Sequence, residues 1–307
     1  MHTGHSPLAA SGPPPRGPRN AGDAWVTASD GTRYWGRFGA AGILAFDTER
    51  GFLMQHRAAW SHHGGTWGIP GGALHQGESA LVGALREAYE EAGVVADDVA
   101  PRLTWVVDRE VWRYTTIVVD VLRPFEPHAG DAESIELAWV PPVEVDEALA
   151  GAGARELHPA VAASLPAIME AMRQRPHLVV DVANVVGSVP DGWWKDRRGA
   201  TERAIAGVDS LVARGVPASA LGLAGHTWHP RVTMVCEGAA RGCVGTDRVA
   251  VVDAPGQGDD AVVEAARRAR DGGGDVTVVT SDRGLASRVS EAGAAVKPTS
   301  WLRAMLQ

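Results

Sequence analysis

Three glutamates lie close together in one short predicted helix. They are Glu87, Glu90 and Glu91, within the segment Gly72 to Val94. Residues three and four apart share a helix face, so Glu87 lies beside both other carboxylates while apolar residues occupy the adjoining face. Such like charges repel unless a cation neutralises them. Mg²⁺ or Mn²⁺ would do so, and the expected chemistry is metal-assisted hydrolysis.

Capping signals and a glycine loop surround this helix. Ser79 is a predicted N-cap, and Gly93 stands where a left-handed C-terminal cap is expected. Upstream, Gly71 and Gly72 allow the backbone to come near a ligand or metal. A merely solvated acidic helix face would need neither this loop nor the fixed spacing from Glu78 to Arg86.

The spacing of these residues resembles the Nudix box. The matching positions are Gly72, Glu78, Arg86, Glu87, Glu90, Glu91, Gly93 and Val94. The resemblance implies an α/β/α sandwich with a mixed sheet over residues 24–174. It also implies that the three glutamates, with the Gly71 carbonyl, bind Mg²⁺ or Mn²⁺, that Arg86 orients a carboxylate, and that Gly72 and Glu78 support the site.

The same resemblance implies hydrolysis of a nucleoside diphosphate linked to another group. The attached group is left open, with oxidised nucleotides, ADP-ribose, nucleotide sugars and capped RNA ends as candidates. A further carboxylate from a later loop is expected, either Glu133 or Glu136. The nearby His56, Arg57, His62 and His63 could contact the base or phosphate of a substrate, but a solvated loop is the favoured interpretation.

The remaining pattern of the first half predicts a hairpin, further strands and two helices. The hairpin covers residues 40–46 and 51–56, and strands are predicted at 103–108, 112–122 and 133–140. One helix is predicted near Val143 and a longer one at Leu157 to Met172.

After Pro176 short apolar runs alternate with helical stretches. The runs at residues 178–182, 232–236, 249–253 and 276–280 predict parallel strands that are covered on both faces. Acidic residues follow these runs, and ligands of such sheets gather at the carboxyl ends of the strands. These acidic residues are Asp181, Asp253, the adjacent pair Asp259 and Asp260, and Asp282. Several carboxylates from separate segments at one sheet edge are the layout that a divalent-metal site for phosphodiester cleavage needs.

Residues 175–307 resemble the PIN-like nuclease superfamily, especially its NYN branch. The motifs are VVDVAN at 179–184, GDDAVVEAARRA at 258–269 and VVTSDRGL at 278–285. The resemblance implies a mainly parallel Rossmann-like sheet and metal-dependent cleavage of RNA. By position it also implies that Asp181, Asp282 and one or both of Asp259 and Asp260 bind the metal, with Asn184 in support. The aromatic and basic segment from Trp193 to Arg198 fits binding of single-stranded RNA, or equally a flap packed over the sheet.

The length, net charge and cysteine content of the chain limit the domain count, the binding partners and the compartment that fit it. The chain of 307 residues is long enough for two domains, and its net charge of -8 argues against broad attraction to nucleic acid. Residues 1–23 are proline-rich and read as a disordered tail. Two cysteines and the lack of a long apolar run favour a reduced cytoplasm and no membrane span.

Two alternatives to a bifunctional hydrolase and nuclease stay open at this point. The Nudix-like half could bind a nucleotide without turnover and regulate an RNA-processing half. The second half could instead be a noncatalytic module for RNA binding or dimerisation.

Overall fold

The computed structural model describes residues 21–130, 132–190 and 192–306. The chain divides into two compact units, Met1–Pro166 and Ala167–Gln307. The division falls inside a helix, whereas the predicted boundary at residues 174/175 stays a prediction. The predicted tail of residues 1–23 lies outside the described residues as far as residue 20. No helix in the described part of the chain combines the length and apolar character that a membrane crossing requires.

The described part of the first unit contains short strands, long strands and three helices. The strands are β1 Trp25–Thr27, β2 Arg33–Trp35, β3 Ala40–Asp47, β4 Gly51–Arg57, β5 Trp67–Gly68, β6 Gly71–Ala73, β7 Val99–Asp108, β8 Arg113–Val121 and β9 Ser134–Val140. The helices are α1 Ala80–Ala92, α2 Pro142–Leu149 and α3 Pro159–Ala171, the last of which crosses into the second unit.

These strands form a mixed sheet with α1 packed on it. The order is β7-β8-β3-β4-β5, with β6 on β3 and β9 on β4, and β1 pairs with β2 separately. Strands β3 and β8 are parallel, whereas β3–β4 and β7–β8 are antiparallel. Small buried residues Ala84, Ala88 and Ala92 let α1 lie close against Ile43 and Leu53 of the sheet. The expected mixed α/β fold is therefore confirmed.

The second unit is built on a parallel sheet. The strands in the described part of the whole unit are β10 Pro176–Asp181, β11 Val216–Pro217, β12 Thr227–Trp228, β13 Arg231–Cys236, β14 Val249–Asp253, β15 Asp275–Val279 and β16 Ala295–Lys297. Its helices are α4 Val182–Gly187, α5 Arg197–Arg214, α6 Ala218–Leu221, α7 Gly258–Asp271, α8 Arg283–Glu291 and α9 Thr299–Met305.

The parallel sheet has the order β14-β13-β10-β15-β16. The chain builds outward from β10 through β13 to β14 and then crosses to β15 on the other side of β10. Buried clusters cover both faces of the sheet, with Val180 and Met234 in one and Val179 and Val278 in the other. The strand order reverses between β10 and β15, where open α/β sheets form a crevice.

Candidate active site and a second acidic sheet edge

Helix α1 begins and ends where the sequence predicts. The Val82 N–H donates to the Ser79 hydroxyl over 3.3 Å at the N-terminus. Gly93 has a φ of 69°, and its N–H donates to the Tyr89 carbonyl over 3.0 Å. These caps fix the residues at which the helix begins and ends, and the three glutamates therefore lie within regular helix.

Arg86 organises the carboxylates of this site. Its Nε and Nη2 donate to the two oxygens of Glu78, each over 3.0 Å. Its Nη1 donates to Glu87 over 2.7 Å and lies 3.6 Å from a Glu90 oxygen. Its Nη2 also donates to the Ala73 carbonyl over 3.1 Å, which ties α1 to β6. The two-pronged contact with Glu78 explains why the family pattern needs a planar guanidinium here.

The charges within this network are not balanced evenly. The hydrogen bond from Arg86 is the main reason that the pKa of Glu78 is lowered. Burial instead raises the pKa of Glu87, although Arg86 opposes this effect and the charge of Glu90 adds to it. A charged Glu87 therefore still lacks full compensation, and a bound cation would supply it.

Glu91 and the glycine loop complete the site. Glu91 is 5% exposed and accepts a hydrogen bond from the Gly71 N–H over 2.8 Å. A Cβ added to Gly72 would lie 2.6 Å from the Glu87 carboxyl carbon, so any larger residue there would have to displace that carboxylate. Tyr114 was not predicted as part of this region. Burial raises the pKa of its hydroxyl, and the charges of Glu91 and Glu87 contribute.

The donor set fits a hard divalent cation. Carboxylate oxygens and a backbone carbonyl are the ligands that Mg²⁺ and Mn²⁺ prefer. Glu87, Glu90, Glu91 and Gly71 offer such groups, and the raised pKa of Glu87 marks a place where a positive charge is favourable.

The candidates for an additional carboxylate lie on and just before β9. Glu136 is exposed and pairs in register with His56 of β4. The Glu133 carbonyl accepts a hydrogen bond from the Ala58 N–H over 2.7 Å. The choice between them stays a prediction.

In the second unit Asp181 is held at the reversal of strand order. Its Oδ1 accepts from the Asn184 N–H over 3.1 Å, and its Oδ2 accepts from the Thr280 hydroxyl over 2.9 Å. The Asn184 side chain accepts from the Ser281 N–H over 2.8 Å. These bonds join the carboxyl ends of β10 and β15, so Asp181 and Asn184 occupy the crevice of the sheet.

The acidic residues around Asp181 take different environments. Burial raises the pKa of Asp181 itself, and the charges of the neighbouring Asp259 and Glu237 raise it further. Glu237, which sequence reasoning missed, lies just after β13 and accepts from the Gly258 N–H over 2.8 Å. Asp282 caps α8 through the Leu285 N–H over 2.8 Å.

Asp260 forms an ion pair with Arg288, whose Nη1 lies 4.0 Å from an Asp259 oxygen. Of these neighbours, Asp259 is the one whose charge acts on Asp181. In the predicted RNA-binding segment Trp194 is 58% exposed, whereas Trp193 is half-buried and has the Arg197 guanidinium 5.1 Å from its ring centre.

The fold and the carboxylate helix of the first unit fit the class of hydrolases that act on diphosphate bonds. Comparison with known families agrees, because the NUDIX domain model matches residues 36–161. A Mycobacterium tuberculosis (strain CDC 1551 / Oshkosh) protein named "Putative 8-oxo-dGTP diphosphatase 3" is 43% identical over 156 residues, which are 48% of this chain and 68% of that protein. The chain belongs to the Nudix family, and the domain at 36–161 is of the Nudix hydrolase class, which acts on diphosphate bonds.

Two further relatives match this same family. A Bifidobacterium longum (strain NCC 2705) "Nucleoside triphosphate pyrophosphatase/Nudix hydrolase fusion protein" is 46% identical over 138 residues, covering 42% of this chain and 28% of that protein. The crystal structure of a Nudix hydrolase from M. smegmatis, RenU, is 38% identical and covers 49% of this chain and 95% of that chain, with a TM-score of 0.43. The chain thus spans less than a third of the length of the Bifidobacterium relative.

Proposed function

We propose that the first unit is a Mg²⁺- or Mn²⁺-dependent pyrophosphohydrolase that cleaves a diphosphate bond in a nucleoside derivative. The observation that carries this proposal is the Arg86 network. One guanidinium holds Glu78 and Glu87 and approaches Glu90, while Glu91 is fixed separately by the Gly71 N–H. Three carboxylates are thereby held in place before any substrate arrives, and the fourth, Glu90, lies beside the same guanidinium, as preorganised catalysis requires.

The residues of the chain have distinct tasks in this proposal. Glu87, Glu90, Glu91 and the Gly71 carbonyl would hold the cation, which neutralises the diphosphate and lowers the pKa of water when bound. Arg86 keeps Glu87 oriented through a charge-assisted hydrogen bond of 2.7 Å. Glu78 fixes Arg86 in turn, so it acts as a positioning residue one contact away from the reaction.

For the substrate we propose a nucleoside triphosphate with an oxidised purine base. Support comes from the name of the Mycobacterium tuberculosis relative, of which this chain covers 68%. ADP-ribose, nucleotide sugars and capped RNA ends are the competing substrates, because loops outside the helix select the group attached to the diphosphate.

The test is a hydrolysis screen of the full chain. Purified protein is incubated with 8-oxo-dGTP, dGTP, ADP-ribose, nucleotide sugars and capped RNA, with Mg²⁺ or Mn²⁺ and with EDTA. We expect metal-dependent release of a nucleoside monophosphate, fastest from 8-oxo-dGTP. A double variant, Glu90→Gln with Glu91→Gln, should lose about 100-fold or more of the rate, since a metal supplies several kcal/mol of stabilisation.

The matched control is Glu147→Gln, which alters an exposed glutamate on α2. An unchanged rate in the double variant would contradict the assignment of the metal helix. Tight stoichiometric binding of a nucleotide without any hydrolysis would favour the sensor alternative.

We further propose that the second unit is a PIN-like domain that uses divalent metal to cleave RNA at the β10/β15 crevice. Support comes from the strand order β14-β13-β10-β15-β16, which reverses beside Asp181, and from the residues gathered there. Asp181, Asp259 and Asp282 are the proposed ligands, with Asn184 in support and Glu237 added by the fold.

Cleavage of a labelled single-stranded RNA in the presence of Mn²⁺ tests this second activity. Asp181→Asn preserves the size of the side chain and the acceptor for the Asn184 N–H, so the fold should survive. We expect cleavage to be lost in this variant and retained in Asp271→Asn, which alters an exposed residue at the end of α7. RNA cleavage that persists in Asp181→Asn would exclude this site, and the absence of cleavage in the wild type would favour the noncatalytic module.

A further inference from the structure

Three histidines of the first unit converge outside the glutamate site. His62 and His63 lie in the loop between β4 and β5, and His158 directly precedes α3. One possible ligand atom from each of the three lies within 4.8 Å of the other two. Residues distant in sequence are thus brought close together, and side-chain shifts of about 1 Å would bring the three nitrogens to the distances that one Zn²⁺ requires.

Backbone contacts hold the two parts of this cluster together. The Trp67 N–H donates to the Glu156 carbonyl over 2.7 Å, and the His158 N–H donates to the Trp67 carbonyl over 2.8 Å. This parallel bridge fixes His158 beside the loop that carries His62 and His63. The cluster therefore does not depend on long flexible side chains for its assembly.

The loop backbone is also shaped around His63. This residue has a φ of 53°, a left-handed conformation that is uncommon outside glycine. The Thr66 hydroxyl donates to the His63 carbonyl over 2.6 Å, which holds the turn. The ring of His63 lies 4.2 Å from that of His62 and 4.8 Å from that of His158, at 80° and 81°. The rings thus meet edge to face rather than stacking.

The chemistry of the cluster differs from that of the glutamates. Imidazole nitrogens suit Zn²⁺, Co²⁺, Ni²⁺ and Cu²⁺, whereas Mg²⁺ prefers oxygen. Three histidines with an open fourth position are a known arrangement for Zn²⁺. Burial is the main cause that lowers the pKa of His158 to about 4, and it also lowers the pKa of His62. Neutral rings are the form that can donate to a metal.

Two local features oppose a bound cation. The Arg57 guanidinium contacts the His62 carbonyl, over 3.4 Å from its Nε, and its charge acts on His62 and His158. His158 Nδ1 accepts a hydrogen bond from the Ala160 N–H over 3.2 Å, so ligation through Nε2 would give up this bond. The loss of one such hydrogen bond is a small penalty beside the free energy of ligating an ion with three imidazoles.

We propose that His62, His63 and His158 form a second metal site, for a transition-metal ion of the Zn²⁺ class. A bound ion would clip the β4–β5 loop to the start of α3. It would thereby stiffen the segment from Trp67 to Gly71, which leads into the glutamate site. This role is separate from diphosphate chemistry and does not require the proposed hydrolase activity.

The test is a titration of the full chain with Co²⁺ in excess Mg²⁺, followed by visible absorption and then by displacement with Zn²⁺. We expect about one Co²⁺ per chain with the intense bands of a low-coordinate nitrogen site. His63→Asn and His158→Asn are the informative variants, because asparagine tolerates a positive φ and also caps helices. Each should weaken Co²⁺ binding about 10-fold or more, as loss of a ligand requires.

The control variants separate this site from the others. His226→Asn alters an exposed histidine outside the cluster and should bind Co²⁺ as the wild type does. Glu90→Gln with Glu91→Gln should also retain the Co²⁺ bands, so failure of the hydrolase proposal is distinguishable. The proposal is overturned if the wild type shows no such bands, or if both asparagine variants, folded by circular dichroism, bind Co²⁺ unchanged.

Discussion

Two half-buried carboxylates, one in each unit, are held in different ways. Glu78 of the first unit is fixed by both prongs of Arg86, and its pKa is lowered. Asp181 of the second unit is held by a hydroxyl and a backbone N–H, and burial raises its pKa. Arg86 compensates Glu78 fully but Glu87 only in part, whereas Asp181 has no arginine among its hydrogen-bond partners and lies close to the charges of Asp259 and Glu237.

The carboxylates of the two units are brought together at different levels of structure. In the first unit one helix supplies the charges and one arginine aligns them, so local spacing is sufficient. In the second unit the carboxylates arrive from separate strands and helices, and their meeting depends on the strand order of the whole sheet. We therefore expect that substitution of Arg86 reduces the activity of the first site most. We also expect that neutralisation of Asp181 raises the stability of the second unit.

Removal of Arg86 should have the largest effect. Arg86→Ala releases Glu78 and Glu87 together, and we expect a loss of about 10-fold to 100-fold in kcat/KM for the diphosphate substrate. Arg86→Lys should recover only part of the rate, because an ammonium cannot bond both oxygens of Glu78 in a plane. Arg123→Ala, which removes an exposed ion pair with Asp98, is the matched control. Wild-type kinetics in Arg86→Ala would show that Arg86 is not needed to align the carboxylates of the first site.

A methyl group at Gly72 should have the next largest effect. Its Cβ would lie 2.6 Å from the Glu87 carboxyl carbon, so Gly72→Ala must displace that carboxylate. We expect a loss of about 10-fold or more in kcat, since small misplacements of a catalytic group are costly. Gly256→Ala is the control, because its Cβ meets nothing within 4 Å. Full activity of Gly72→Ala would show that the position of Glu87 is not critical.

Loss of the Glu78 charge should lower the stability of the first unit. Because the pKa of Glu78 is lowered in the folded state, its stabilising contribution is present above the unfolded pKa and is lost as pH falls through the folded value. Glu78→Gln should lower the free energy of unfolding by about 2 kcal/mol at neutral pH. Thermal unfolding at pH 7 and pH 3 measures this, and the difference from wild type should shrink at the lower pH.

Asp181→Asn should give a smaller change of the opposite sign. A raised pKa means that the charged Asp181 costs stability at neutral pH, and this cost falls as pH drops through the folded value. The variant should therefore unfold at a slightly higher temperature than metal-free wild type at pH 7. Equal or lower stability would mean that the Thr280 and Asn184 contacts already compensate the charge.

Much of the fold could be predicted from periodicity and capping. Ser79 and Gly93 bound α1 as expected, and β14 covers residues 249–253 as predicted. The hairpin of β1 with β2 was missed because strands of three residues show no pattern. Helix α5 was not delimited, since its Ala- and Arg-rich sequence carries a weak amphipathic signal.

The site could be predicted where its residues are close in sequence. The glutamates, Arg86 and Glu78 lie within one segment, so spacing alone relates them. Tyr114 and Glu237 approach their sites only through tertiary folding, and no local motif marks them. The different surroundings of Asp259 and Asp260 likewise depend on Arg288 of another helix.

We expect Glu87, Glu90 and Glu91 together to hold a divalent cation. The most direct measurement is an anomalous difference map from crystals of the full chain soaked in manganese chloride. We predict a manganese peak bonded to carboxylate oxygens of this helix, absent from crystals of the variant Glu90→Gln with Glu91→Gln. If the wild-type crystals show these side chains extended into solvent with no peak beside them, the account of the first unit is contradicted.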